Sequence, residues 1–365
     1  MSRATLGVLG GGQLGRMLGL AGHRLGLSLR FFDPSPDAVA GHVGELFVGE
    51  FSDTPRLERF AAGLEAVTYE FENVPVECAR RLSRLVPVLP PPMALEQSQD
   101  RLHEKNLFTR LGIPVPAYRN VESRVDLDRA LAEVGLPAVL KTRRMGYDGK
   151  GQAVLRSRDD ADPAWARLGP SVPLILERFV AFERELSILA VRSTRGETAF
   201  YPLVENEHRE GILRVSRAPA DGGRLGDAAR EAAAALLAAM DYAGVLALEF
   251  FDVGGSLLAN EMAPRVHNSG HWTIDGAATS QFENHLRAIL GLPLGDTSPL
   301  GHAAMINLIG AHPPLAKLAA IPGARVHLYA KEPRPGRKLG HVTFMEASRA
   351  ALDARLEHAR CVLGP

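Results

Sequence analysis

Glu249 and Glu261 lie six residues to either side of Gly255, each within an apolar run, 245–253 and 257–262. A hairpin closed by the three-residue loop Gly254-Gly255-Ser256 sets them opposite each other on one face. Facing carboxylates repel, so such a pair on an otherwise apolar hairpin implies a bound cation. Carboxylates together with phosphate oxygens are the ligands Mg2+ favours. The plainer alternative is that one of the two is solvent-exposed. Asn260, beside Glu261, can add an oxygen. Directly after the hairpin, Arg265-Val266-His267-Asn268-Ser269-Gly270-His271 concentrates donors where a metal-bound phosphate would sit, as a cationic clamp on a transferring phosphoryl group requires. A lone histidine there would read as structural, but an arginine, two histidines and an asparagine within seven residues favour a site.

Three further segments carry anion chemistry. Lys141 ends an apolar strand and is followed by Gly146-Tyr147-Asp148-Gly149-Lys150-Gly151-Gln152. Asp-Gly is a common turn pair, yet three glycines and a lysine exceed what a tight turn needs. A loop of this kind can fold its amides over polyphosphate while excluding water. Lys331, Arg334, Arg337 and Lys338, set among prolines and a glycine, form either a solvated basic loop or a socket for a small-molecule phosphate. Gly10, Gly12 and Gly15 form G-x-G-x-x-G, with Asp33 eighteen residues beyond. That spacing imitates a dinucleotide fingerprint, but by itself it is equally compatible with another phosphate ligand or with a structural turn.

The elements that must position these residues follow from periodicity. A strand at 6–9, a helical pattern through Leu14, Met17, Leu18 and Leu25, and a strand at 29–32 make a β-α-β unit. With strands at 46–48 and 66–69, the first roughly 95 residues read as a parallel sheet carrying helices. A charged helix around 101–111 opens a second block with strands at 138–141, 153–156 and 174–176. Antiparallel strands are expected at 186–192, 198–203 and 213–216, a helix at 227–240, late strands at 305–309 and 326–329, and a helix-like tail at 347–365. The fold class is therefore α/β joined to α+β.

Composition limits what these elements can do. Lys+Arg and Asp+Glu both number 42, so no net field recruits nucleic acid or a membrane, and any anion site is local. Cys78 and Cys361 sit in no metal-ligand spacing and read as free thiols. The absence of a long apolar run leads to the expectation of a cytoplasmic protein without nucleic-acid or membrane partners.

In this order the elements resemble the ATP-grasp superfamily. The stretches 10–17, 68–74, 146–152, 260–272 and 334–341 look, more narrowly, like the N5-carboxyaminoimidazole ribonucleotide synthase family. The resemblance implies a Rossmann-like domain at 1–97, a lid region at 98–180 and a metal- and substrate-binding region at 181–365. It implies that Arg101 and Lys141 bind the ATP phosphates under the loop Gly146, Tyr147, Asp148, Gly149, Lys150, Gly151, Gln152. Glu177, Arg178, Phe179 and Val180 would be the adenine hinge, Glu185 would hold the ribose, His208 and Asn260 would border the nucleotide, and Glu249 and Glu261 would hold two Mg2+ ions. By likeness to the related glycinamide ribonucleotide transformylases, Gln13, Leu14, Glu70, Asn268, Lys331, Arg337 and Lys338 would contact the ribonucleotide. The catalytic set would be Lys141, Tyr147, Asp148, Arg265 and His267, acting on aminoimidazole ribonucleotide and bicarbonate in a homodimer. Rival readings are a formate-dependent transformylase of the same architecture and a nicotinamide-dependent oxidoreductase built on the first glycine motif.

Overall fold

The computed structural model describes residues 4–146, 150–169 and 172–363. Its first sheet is wholly parallel, with the strands Glu45–Val48, Ser28–Asp33, Thr5–Leu9 and Ala66–Tyr69 side by side in that order. Leu6, Val8 and Phe31 are fully buried, as expected for strands covered on both faces. The helix Gln13–Arg24 turns Leu14, Met17 and Leu18 inward at helical spacing.

A small antiparallel sheet comes next, in the order Tyr118–Val121, Leu174–Arg178, Ala138–Thr142, Gln152–Leu155. The helix Arg124–Val134 covers it, started by the Ser123 hydroxyl, which accepts the Asp126 N–H. Leu127, Leu131, Leu140 and Leu176 fill this core.

The third sheet has nine strands. Its main path runs Ser256–Ala263, Gly244–Val253, Arg184–Arg192, Val204–Arg209, Ile212–Ala218, His302–Ile309, Lys338–Glu346, Arg325–Leu328, and Thr198–Phe200 pairs separately with Arg184–Arg192. On one side the helices Arg101–Arg110 and Gly223–Ala239 pack Leu107, Phe108, Leu236 and Leu237 against Leu246 and Leu248. On the other, Trp272, Phe282 and Leu286 share a core with Leu14 and Met17 of the first unit. A buried hydrogen bond of 2.8 Å between Thr68 Oγ1 and His285 Nε2 ties the two units together.

The hairpin that carries the two glutamates departs from the expected loop but reaches the expected pairing. Val253 pairs with Ser256, so the turn is the two residues Gly254-Gly255, with φ of 57° and 75°. Positive φ at both positions suits a tight hairpin turn and explains the glycines. The register then shifts between Glu249 and Phe250. Phe250 pairs with Ala259 and Glu249 with Glu261, leaving Asn260 as the extra residue of a bulge. The expected third loop residue is in fact an extra residue deep in the strand.

Other expectations also shift. The strand expected at 198–203 stops at Phe200, because Pro202 has no N–H to extend the ladder. The tail forms the helix Arg349–Leu363, whose Leu352 and Leu356 pack against Leu308 and Phe344. The nine-residue strand Lys338–Glu346 had no counterpart in the pattern analysis.

Candidate active site

A cavity of about 430 Å3 opens where the three sheets meet, a volume in the range that holds a nucleotide-sized ligand. Its lining brings together Arg101, Lys141, Gly146, Lys150, Gln152, Glu177, Arg178, Phe179, Val180, Glu185, His208, Glu249, Asn260, Glu261, Arg265, His267, Asn268, Lys338, Gln13 and Leu14. Tyr147, Asp148 and Gly149 lie outside the described residues. Glu70, Lys331 and Arg337 are not among the lining residues. Lys331 nevertheless reaches the wall indirectly, because its ammonium donates to Gln13 Oε1.

At one end of the cavity, Lys141 Nζ donates to Glu177 Oε2 at 2.9 Å, and Arg101 Nη2 donates to Glu261 Oε2 at 3.0 Å. Burial alone would raise the Glu177 carboxyl, but Lys105, Lys141 and Arg101 outweigh it and hold the group at about 2. Arg101 Nη1 and Glu177 Oε1 are buried without a hydrogen-bond partner among the described residues. Such polar atoms are costly unless a ligand meets them. Toward the opposite end, His208 Nδ1 lies 2.9 Å from Glu185 Oε2, and this carboxylate raises the imidazole pKa against the effect of burial. Phe182 and Phe251 stack at 4.8 Å in the wall, an apolar surface that no sequence motif announced.

Where the two hairpin glutamates meet, burial and then Glu261 push the Glu249 carboxyl up to about 7. Two carboxylates this close do not both ionise readily without added positive charge. Among the described residues no group of three or more His, Cys, Asp or Glu could hold a metal alone. The pair therefore fits an ion that brings its remaining ligands as phosphate oxygens, as Mg2+ on a nucleotide does. His267 Nε2 stands 3.4 Å from Glu249 Oε1. Burial, then Arg265 and Lys338, lowers the His267 pKa to about 3, so the ring is neutral. The Ser269 N–H donates to His267 Nδ1 at 3.3 Å, which places the ring proton on Nε2, facing the glutamate. Arg265 is held by Glu72, whose carboxylate accepts from the guanidinium. Both amide atoms of Asn268 are buried at the cavity wall without a hydrogen-bond partner among the described residues.

The glycine motif does not offer its amides to a ligand. Gly11 N–H donates to Asp33 Oδ2 at 2.7 Å, and the Gly12 and Gly15 N–H groups donate to Glu70 Oε1 and Oε2 at 2.8 and 2.9 Å. Protein carboxylates occupy the positions a pyrophosphate would take, which removes the physical basis of the nicotinamide reading. The two glutamates of the 68–74 stretch thus divide their work, Glu70 bracing the glycine turn and Glu72 orienting Arg265. Sequence reasoning passed over Glu72, Glu104 and Lys105. The spacing of Arg101, Glu104 and Lys105, three and four apart on one helix, was the available signal.

The Glu72–Arg265 pair gives a pH test. Burial opposes ionisation of Glu72, but Arg265 prevails and lowers its pKa from 4.5 to about 2. A depressed carboxylate stabilises the fold fully above its unfolded pKa, and that contribution is lost as pH falls toward the folded value. Discounted for a carboxylate 32% exposed, the pair should contribute about 1 to 2 kcal/mol. Denaturant titrations from about pH 6 down to about pH 2 should show a loss of stability in the wild type that is smaller by this amount in Glu72→Gln. Identical acid branches would contradict the assignment.

Residues 3–99 match the ribonucleotide synthetase preATP-grasp domain, 106–282 the ATP-grasp domain and 303–355 the phosphoribosylaminoimidazole carboxylase C-terminal domain. The chain is 52% identical to the N5-carboxyaminoimidazole ribonucleotide synthase of Pseudomonas aeruginosa, over 98% of its own length and 99% of the relative's. A crystal structure of N5-carboxyaminoimidazole ribonucleotide synthetase from Thermus thermophilus is 57% identical, with a TM-score of 0.95 over 99% of each chain. The Aspergillus clavatus N5-carboxyaminoimidazole synthase, solved with ADP and 5-aminoimidazole ribonucleotide, is 30% identical, with a TM-score of 0.91 over 99% of this chain and 98% of that one. With carboxylates, cations and glycine turn all placed as described, and with likeness of this extent along the whole chain, the protein belongs to the N5-carboxyaminoimidazole ribonucleotide synthase family of ATP-grasp enzymes.

Proposed function

We propose that this enzyme uses ATP and bicarbonate to carboxylate 5-aminoimidazole ribonucleotide on its exocyclic amine, giving N5-carboxyaminoimidazole ribonucleotide, ADP and phosphate in purine synthesis. The observation that carries the reading is the meeting of Glu249, Glu261, Arg265 and His267 in one cavity. Phosphoryl transfer needs carboxylates for a nucleotide-bound cation, and a small acid needs a cationic and hydrogen-bonding cradle beside them.

Bicarbonate is a poor electrophile with hydroxide as its leaving group. An oxygen of bicarbonate attacks the γ-phosphorus of ATP, the bond to ADP breaks, and carboxyphosphate forms. Lys141 and Arg101 offset charge on the phosphates, while Arg265 and the Nε2–H of His267 orient the bicarbonate and its mixed anhydride. Glu249 and Glu261, with Asn260 beside them, would hold two Mg2+ ions, which supply electrostatic stabilisation of the transferring phosphoryl group. Breakdown of carboxyphosphate to CO2 and phosphate leaves an electrophile beside the amine, whose nitrogen bonds the carbon and gives up a proton. Tyr147 and Asp148, which lie outside the described residues, are the candidates that the family resemblance offers for orienting that amine.

Adenine would lie against Glu177, Arg178, Phe179 and Val180, and the ribose beside Glu185 and His208. Gln13, Leu14, Glu70, Asn268, Lys331, Arg337 and Lys338 would serve the ribonucleotide, with Glu70 acting through the glycine turn it braces. A homodimer in the cytoplasm completes the reading, consistent with the finding that no helix of the described residues is long and apolar enough to cross a membrane.

ADP release should require both 5-aminoimidazole ribonucleotide and bicarbonate, and formate should not replace bicarbonate. Release driven by formate and glycinamide ribonucleotide would instead identify a transformylase. In the same assay Lys331→Ala and Arg337→Ala separate the two substrates. A phosphate that does not react contributes uniform binding, so each variant should raise the KM for the ribonucleotide about ten- to a hundredfold and leave that for ATP nearly unchanged. Weakened ATP with an unaltered ribonucleotide KM would assign the socket to the nucleotide.

A further inference from the structure

The strand Ser256–Ala263 ends the nine-stranded sheet, so among the described residues no strand satisfies the backbone groups of its outer edge. Between residues 259 and 262 side chains and a loop take that place. Ala259 N–H donates to the Pro114 carbonyl at 2.7 Å. Lys105 Nζ donates to the Ala259 and Asn260 carbonyls at 3.1 and 2.7 Å. Met262 N–H donates to Glu104 Oε1 at 2.7 Å. Arg101, on the same face of the same helix, holds the Glu261 side chain.

These contacts bracket the bulge. With the two-residue turn at Gly254-Gly255 and no bulge, Glu249 would pair with Asn260, and Glu261 would point to the opposite face of the sheet. The extra residue is thus what makes a carboxylate pair at all. A bulge disrupts the ladder locally, and here the carbonyl of its extra residue is met by Lys105. Lys105 is fully buried and Glu104 is 2% exposed, so neither is solvated, although Glu104 also borders the cavity. The remaining reach of the Lys105 ammonium is to Glu177 Oε2 at 3.8 Å, the oxygen that also receives Lys141. Lys105 itself is not among the residues lining the cavity.

We infer that Glu104 and Lys105 form a register clamp, fixing the bulge at Asn260 and so positioning Glu261 opposite Glu249 for the nucleotide-bound cation. Both are positioning residues acting through Glu261. The inference rests on the proposed reading of Glu249 and Glu261 as cation ligands.

The test uses Mn2+ as probe, with its affinity for the full-length protein measured by electron paramagnetic resonance at saturating ADP. Lys105→Met keeps the length of the side chain and removes the ammonium. It should weaken Mn2+ binding by about tenfold or more and change calorimetric binding of 5-aminoimidazole ribonucleotide by less than about twofold. Lys105→Arg, which restores charge and donors, should recover part of the loss. Leu237→Ala, fully buried in the same core, controls for lost stability and should lower the melting temperature without altering Mn2+ affinity. Wild-type Mn2+ affinity in folded Lys105→Met, or an equal loss in Leu237→Ala, would overturn the clamp. Should Lys105→Met fail to fold, Glu104→Leu, which strips the acceptor from Met262, should weaken Mn2+ in the same direction, and an unchanged affinity overturns the proposal. If Glu261→Gln binds Mn2+ and ADP as tightly as the wild type, the cation reading itself is wrong and the clamp falls with it.

Discussion

The site depends on holding two like charges together. Glu249 and Glu261 face each other across adjacent strands, and an isolated pair of this kind is destabilising. The fold tolerates it by surrounding the pair with compensating groups, Arg101 on Glu261 and the neutral His267 beside Glu249. Even so, Glu249 is pushed toward its protonated form. On the proposed reading this residual imbalance would favour cation binding, because a divalent ion converts a repulsive pair into a ligand set. A site built this way is poorly satisfied without its ligands and gains most from them.

The same logic runs along the cavity. Glu177 is shared between Lys141 and Lys105, Glu72 fixes Arg265, and Asp100 binds both Arg143 and Arg144 while accepting the Leu102 N–H at the start of the clamp helix. Lys141, Arg265 and Arg143 in the cavity wall are thus each tethered to a carboxylate. Tethering lowers the freedom a long side chain loses when the transition state forms, which is where positioned charge has most effect. The strand Ala138–Thr142 carries Lys141 and the nine-stranded sheet carries the two glutamates, so the cavity draws its charged groups from separate sheets.

Much of this was legible in the sequence, for identifiable reasons. The parallel first sheet was read from short strand-like runs, among them 66–69, which the structure buries without interruption. The pairing of Glu249 with Glu261 was read from symmetry about Gly255 and is realised by a different route, a two-residue turn plus a bulge. Counting residues sums the two but cannot separate them. The glycine motif was ambiguous because amides at a helix start suit any anion, and only the fold revealed that Asp33 and Glu70 already occupy them. Lys105 was invisible for a related reason. A lysine in a charged helix is ordinarily solvated, and its burial is decided by a strand more than 150 residues away. Long-range edges of this kind leave no periodic trace.

The measurement that bears most directly on the account is Mg2+-dependent ADP release by Glu249→Gln and Glu261→Gln, with circular dichroism and melting curves confirming that both variants fold. Glu249→Gln relieves the repulsion and should be no less stable than the wild type, whereas Glu261→Gln also takes the charge partner from Arg101 and should stay folded at some cost in stability. Turnover should fall by about a hundredfold or more in each, as the loss of a preorganised electrostatic contact to the transferring phosphoryl group requires. Folded variants that released ADP at close to the wild-type rate would show that the glutamate pair is not the cation site, and the arrangement of charge described here would need another purpose.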